Sequence, residues 1–301
     1  DKAVMRRAIG PVWDGNEVWI LTAGGALFAA FAPAYATTFS GFYLAVMLVL
    51  FGLIVRAVAI EFRGHDPEWK GLWDVLFFVG SLLPALLLGV AVGNVVGGLP
   101  LDASGDYLGS FFDLLNPFAL ACGVLGLVHM LMQGASWIAC KAPVDDELRA
   151  KAARLRRVLC VVDLVVFALV SVLFFTVVVP NSAVGIGATP VAGVFALVYI
   201  VSTVATLALA PGEPARDKFA PLLAGVGAFG LVGTMAATLF PYLVPATDPA
   251  MSVTVANAAA NETSLMAMTV IACIGVPLVL VYHVVIYRVY RGRVAVEDLS
   301  Y

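Results

Sequence analysis

Asp14, Asn16 and Glu17 stand in the stretch "GPVWDGNEVWILTAGGALFAAF", Gly10–Phe31, which begins as a polar turn and ends as a string apolar enough for lipid. Asp14 and Glu17 are spaced to share one helix face. Two carboxyl groups held close in a low dielectric share a proton, and such a group can take up and release protons as a relay must. Trp13, Gly15 and Trp19 complete a polar, close-packing turn around them. Asp74 and Asp163 are secondary acids of the same kind, each near the start of an apolar run, where the helix dipole alone would favour an anion. A carboxylate in hydrocarbon costs several kcal/mol unless it is paired, solvated or protonated, so each of these acids needs an explanation.

His65 lies in a charged stretch, His129 about ten residues from one end of a long apolar run, and His283 about four residues from the end of another. At 1.5 Å per residue, His129 and His283 differ in depth by roughly 9 Å, which does not suit a bis-histidine haem site and leaves a His–Met pair open. The expected environment of His129 is a hydrogen-bonded position inside a helix bundle. No His/Cys/acid pattern with metal-ligand spacing is present, so no metal site is expected. Cys122, Cys140, Cys160 and Cys273 form no C-x-x-C pair and read as small apolar residues. There is no Walker A loop, no G-x-G-x-x-G after a strand, no H-E-x-x-H and no haem-attachment motif.

The elements that must position these groups follow from composition. Of 301 residues 62% are hydrophobic and 12% charged, with a mean hydropathy of +1.00. Lipid must cover part of such a surface. Eight apolar spans are expected, near Trp13–Phe31, Ser40–Ile60, Trp73–Val96, Leu114–Ala139, Val158–Val179, Thr189–Ala210, Phe219–Phe240 and Ser264–Tyr287. Proline and glycine mark the breaks at Pro33, Gly97–Pro100, Pro117, Pro180, Pro211-Gly212 and Pro241, while Pro84 and Pro277 fall inside spans. The fold class is therefore all-α, a polytopic transmembrane bundle forming a single membrane domain over 1–301. All 17 Lys and Arg residues fall on one side of an eight-span path, while the opposite loops carry Asp102, Asp106, Asp113, Asp248 and Glu262. That segregation places both termini in the cytoplasm. "DDELRAKAARLRR", Asp145–Arg157, reads as a short cytoplasmic helix with its acids first and its bases last. Its arginines are accounted for by topology, and no nucleic-acid partner is expected. Asn261-Glu262-Thr263 is a formal glycosylation triplet on the outer side. The start "DKAVMRRAIG" has neither an initiator Met nor a signal-peptide core, so a fragment or processed form is expected.

The strings "GPVWDGNEVWILTAGGALFAAFAPAYATTFSGFYLAVMLVL", "VRAVAIEFR", "WDVLFFVGSLLPALLLGVAVGNVVGG", "FFDLLNPFALACGVLGLVHMLMQGASW" and "FPYLVP" resemble subunit II of the cytochrome bd-type quinol oxidases, in order and along essentially the whole chain. The resemblance implies a heterodimer with subunit I, which would carry two b-type haems, the d-type haem and the quinol-oxidising loop. This chain would supply no haem ligand and would pack as a pseudo-symmetric half. It implies reduction of dioxygen to water with electrons from quinol and protons from the cytoplasm, in a bacterial cytoplasmic (inner) membrane. Small accessory membrane subunits, membrane lipids and a structural quinone in this subunit belong to the same expectation. By this resemblance Asp14, with Glu17 beside it, lies on a proton route, and Trp19 near an oxygen channel. The family has nine helices, of which the first, with a Gly-Phe-Asp-Leu-Gly-like turn, has no counterpart here, and "MSVTVANAAANETSLMAM" lacks an expected Trp-Asp. Two other readings stand beside this one: a proton-coupled secondary transporter, suggested by buried acids and in-span prolines, and a purely structural scaffold subunit.

Overall fold

The computed structural model describes residues 1–66, 68–209 and 213–294; the expected break at Pro211-Gly212 and the end of one expected span at Ala210 lie outside them. The described chain is mostly helical, with one short hairpin and irregular connections such as 98–110 and 182–189. In order it runs α1 (Lys2–Ile9), α2 (Trp13–Ala30), α3 (Ala32–Gly41), α4 (Tyr43–His65), α5 (Lys70–Gly97), α6 (Pro117–Lys141), α7 (Glu147–Leu173), α8 (Val179–Asn181), α9 (Pro190–Ala208), α10 (Ala220–Leu239), β1 (Tyr242–Val244), β2 (Val253–Thr254), α11 (Val255–Ala258) and α12 (Glu262–Val289).

Seven segments of the described residues are long and apolar enough to cross a membrane: α4, α5, α6, the rod Glu147–Asn181, α9, Asp217–Leu239 and α12. The first expected span is present as α2, but Asp14, Asn16 and Glu17 in its opening turns keep this 18-residue helix out of that set. Pro33 has no N–H to return to α2, so the helical ladder breaks at Phe31 and α3 follows as a separate helix. No separate helix was expected at α3, and its presence moves the next span from Ser40–Ile60 to Tyr43–His65. The separate cytoplasmic helix expected at Asp145–Arg157 is likewise corrected. Asp146 caps α7 by accepting from the Leu148 N–H, and the helix runs unbroken to Leu173 because no proline or glycine intervenes. Near Pro180 the same rod widens into a π turn, Phe174–Val178, where the proline ring crowds the carbonyl four residues back.

Burying apolar side chains gains little when lipid is equally apolar, so the helices associate through small residues that let backbones meet. At Gly80 of α5 an added Cβ would lie 2.5 Å from the Gly52 carbonyl oxygen and 2.9 Å from the Arg56 amide nitrogen of α4. At Gly93 it would lie 2.7 Å from Ala119 Cα of α6, and at Gly230 of α10, 2.7 Å from the Tyr199 amide nitrogen of α9. These contacts set two groups. α4 packs on α5 and α5 on α6, and α6 in turn packs on α7 and α10, with α9 closing against α7 and α10. α2 and α12 touch each other, and neither buries a single residue.

The two ends of the bundle differ in chemistry. At one end Asp74 is bracketed by Arg63 and by Lys2, 2.8 Å away, and Asp217 by Arg149 (2.8 Å), Arg156 (3.5 Å) and Arg293 (3.7 Å). The other end carries the β1–β2 hairpin, a bridge from Leu99 to Ala246 and an Asp102 turn whose side chain accepts from the amides of Ser104 and Asp106. There Asn261 of the glycosylation triplet caps α12 through the Ser264 amide. Three cysteines are buried or half-buried, and Cys273 is exposed on α12.

Candidate functional site

The polar turn opening α2 meets two neighbours, α4 and α12. Glu17 forms an ion pair with Arg56 of α4, whose backbone is fixed by the Gly52–Gly80 crossing. The expected shared-proton pair of Asp14 and Glu17 is therefore not the arrangement found: a guanidinium, not the second carboxyl, is the partner of Glu17. Asp14 is exposed and, among the described residues, makes no hydrogen bond or ion pair.

The opposite side of α2 forms a seam with α12. Gly15 lets Tyr282 approach, since a Cβ there would sit 3.5 Å from its hydroxyl. The Asn16 amide and the Tyr287 hydroxyl lie 3.3 Å apart. Trp19 donates its indole N–H to Nε2 of His283 at 3.3 Å, with ring centroids 5.7 Å apart. Nδ1 of His283 lies 2.9 Å from the Val279 carbonyl, which only accepts, so Nδ1 carries the hydrogen and Nε2 the lone pair that receives Trp19. Arg56, Tyr282 and Tyr287 were not singled out from the sequence. The one available signal was an arginine inside an apolar run, which demands a nearby acid.

Asp74 proves to be a clamp. With Arg63 and Lys2 it ties the start of α5 to the end of α4 and to α1. Asp163 is fully buried rather than interfacial, because α7 does not begin at Val158; it faces His129 of α6 at 3.2 Å. The other nitrogen of His129 lies 3.1 Å from the Ala224 carbonyl of α10. His65 places Nδ1 3.0 Å from the Glu61 carbonyl. Both ring nitrogens of His129 and of His283 are thus engaged by protein groups. Among the described residues no cluster of His, Cys, Asp and Glu has the makings of a metal site.

Comparison with known proteins gives a consistent result. The family model described as cytochrome bd terminal oxidase subunit II matches residues 1–290. The chain is 34% identical over 324 residues to a probable cytochrome oxidase subunit 2 of Haemophilus influenzae, covering 97% of this chain and 85% of that protein. It is 32% identical over 333 residues to the cytochrome bd-I ubiquinol oxidase subunit 2 of Escherichia coli K12, covering 100% and 86%. Against the cytochrome bd ubiquinol oxidase subunit 2 of Bacillus subtilis it is 31% identical over 302 residues, covering 99% and 87%.

Proposed function

Because the chain belongs to the cytochrome bd terminal oxidase subunit II family, we propose that its α2 turn serves proton and oxygen access to a haem-bearing partner. As subunit II of a bd-type terminal oxidase it is a component of a quinol oxidase complex in a bacterial inner membrane, and it works with a subunit I. Quinol oxidase membership sets the transporter reading aside.

In the finer reading, Asp14 carries protons and Trp19 lines an apolar path for dioxygen. The observation that carries it is the contrast within one turn. Glu17 is neutralised by Arg56, whereas Asp14 presents an unpaired carboxyl on the open side of α2. A relay needs an acid free to change its charge, and that singles out Asp14. Glu17 with Arg56 then acts as a fixed dipole beside it. Asp74 and Asp163 leave the relay in this reading: Asp74 is held by two cations, and Asp163 lies in the other helix group.

The haem irons, two of b type and one of d type, belong to subunit I in this reading, where they carry electrons from quinol to dioxygen. Support comes from His129 and His283, whose ring nitrogens are already committed to a carboxylate, carbonyls and an indole, leaving no lone pair for iron. The same reading takes residues 1–301 as one membrane domain with eight spans, α2 included, and both termini cytoplasmic. Lys2, Arg63, Arg149, Arg156 and Arg293 all pair with Asp74 or Asp217 at one end of the bundle, which supports that orientation. A structural quinone, accessory subunits and bound lipids complete it by family resemblance.

The test is Asp14→Asn in the assembled complex. Quinol oxidase turnover is expected to fall roughly ten- to a hundredfold with haem bands unchanged. Wild-type turnover from pH 6 to 8 would remove Asp14 from the proton route.

A further inference from the structure

His129 and Asp163 lie outside the α2 turn, in the interior shared by α6, α7, α9 and α10, and the function above makes no use of them. His129 is 5% exposed and Asp163 0%. Their hydrogen-bond partners fix a proton count. Nε2 of His129 faces the Ala224 carbonyl at 3.1 Å; a carbonyl only accepts, so Nε2 carries a hydrogen. Nδ1 faces Asp163 Oδ2 at 3.2 Å. Without a further proton an imidazole lone pair would oppose a carboxylate in a water-poor interior, which is costly. One more proton therefore resides on the pair, on Nδ1 or on Oδ2, and the loaded pair has no net charge.

The surroundings provide a way in. Asp163 Oδ1, the Tyr199 hydroxyl and the Thr203 hydroxyl are all buried and find no partner among the described residues. Tyr199 is close enough to Asp163 to interact with it, and Thr203 Oγ1 and His129 Cε1 lie 3.7 and 3.1 Å from the place of a Gly227 Cβ, so a water lodged in this polar pocket would find hydroxyl and carboxyl partners. Tyr199, Ser202, Thr203 and Thr206 form a buried hydroxyl face on α9. It covers about 10 Å from the pair to within a turn of Ala208, at the end of the bundle where Arg156 and Asp217 meet. Ser202 and Thr206 donate to the Tyr199 and Ser202 carbonyls and keep their own lone pairs available. Gly227 of α10 makes the fit: a Cβ there would lie 3.1 Å from His129 Cε1 and 3.0 Å from Ser202 Oγ.

We propose that His129 and Asp163 form a proton-binding site that holds one exchangeable proton, reached from the basic end of the bundle along the hydroxyl face of α9. The proton passes to the Asp163 carboxyl, a half-turn of which carries it from the Oδ2 to the Oδ1 side; there it transfers to a water lodged in the pocket, giving hydronium, and moves on by hydroxyl rotation, and the emptied pair carries one negative charge. The titratable groups facing it are Cys160 and Arg156 of α7 and Tyr199 of α9; α6 adds none beyond His129, and α10 offers only the Ala224 carbonyl and Gly227. Arg156, about two turns from Asp163, is the cation that offsets the emptied state. Family membership enters only in naming the complex to be purified.

The test follows the carboxyl and imidazole infrared bands of the purified two-subunit oxidase as H2O is replaced by D2O. The band of the pair is assigned by its loss in Asp163→Asn, or in His129→Gln where the first variant does not assemble, and haem bands report assembly. In the wild-type complex this band is expected to exchange within minutes. In the double variant Thr203→Val, Thr206→Val, which leaves the pair intact, exchange should slow about tenfold or more, the equivalent of one lost hydrogen bond. Equal exchange in the valine variant, or none over hours in the wild type, would make the pair a sealed structural contact and overturn the proposal. Asp14→Asn should leave this exchange unchanged, so failure of the α2 relay and failure of this site are separate results.

Discussion

Gly80→Ala probes the contact on which the α2 site is built. The new methyl carbon would start 2.5 Å from the Gly52 carbonyl oxygen, 2.9 Å from the Arg56 amide nitrogen and 3.1 Å from Arg56 Cβ. Two of these neighbours are backbone atoms that no rotamer change can move, so α4 and α5 must part by most of an ångström. Overpacking of that degree costs about 1–3 kcal/mol. In a chain of this size it lowers the melting temperature by roughly 2–10 °C. Arg56 would move with α4 and loosen its hold on Glu17, so turnover should fall together with stability. The assay is thermal unfolding of the purified complex, followed by tryptophan fluorescence and by haem release, with Gly193→Ala as the matched control. A Cβ at Gly193 of α9 meets nothing within 4 Å, and alanine there should stabilise by about 0.4–1 kcal/mol through the unfolded chain. If Gly80→Ala melts at or above the Gly193→Ala complex, the close α4–α5 crossing is wrong, and with it the placement of Arg56.

Three further outcomes follow from the same geometry. Arg56→Gln should impair assembly or lower the melting temperature, because it leaves Glu17 without its cation; the double change with Glu17→Gln should recover part of the loss, and a complete absence of recovery in a double-mutant cycle would dissolve the pair. Single cysteines placed at Gly105 and Thr247 should react with an impermeant maleimide from outside intact cells and one at Lys151 should not, the reverse pattern breaking the proposed topology. At the hairpin end, the amide and hydroxyl of Ser110 hold the Asp113 carboxyl below the usual carboxylate range. This capping box is intact above the ordinary carboxylate pKa and is lost as pH falls through the depressed value, so the Ser110 amide should gain exchange freedom only in acid relative to Asp113→Asn.

What the sequence made legible was whatever depends on one segment at a time. Apolar length gave α4, α5, α6, α9, α10 and α12, and proline marked where the chain could not continue a ladder. α3 escaped because its residues are as apolar as a span, and only the missing Pro33 amide separates it from α2. Side-chain pairing between helices was out of reach for a different reason. Arg56 meets Glu17, and His129 meets Asp163, only once each helix is rotated and crossed in a particular way. Those crossings are set by glycines such as Gly80 and Gly230, whose effect is visible only when the opposing backbone is known. The relation of Trp19 to His283 spans 264 positions, and no local pattern in α2 could announce it.

The loosely seated α12 has a consequence for the order in which the chain comes together. It leaves the ribosome after α4 to α10, the described helices that pack on one another. It buries none of its residues and meets the outer side of α2, with Tyr287 edge-on to Trp137 of α6. Its anchors are at its two extremities: before it the Ala260 amide donates to the Ala30 carbonyl, and after it Lys141 reaches the Tyr290 and Gly292 carbonyls while the Val294 amide donates to Lys141. α12 is thus fastened like a strap, at its two buckles, over helices made before it. A chain stopped before Glu262 should leave the inner helices inserted and paired while losing the Trp19–His283 and Asn16–Tyr287 contacts.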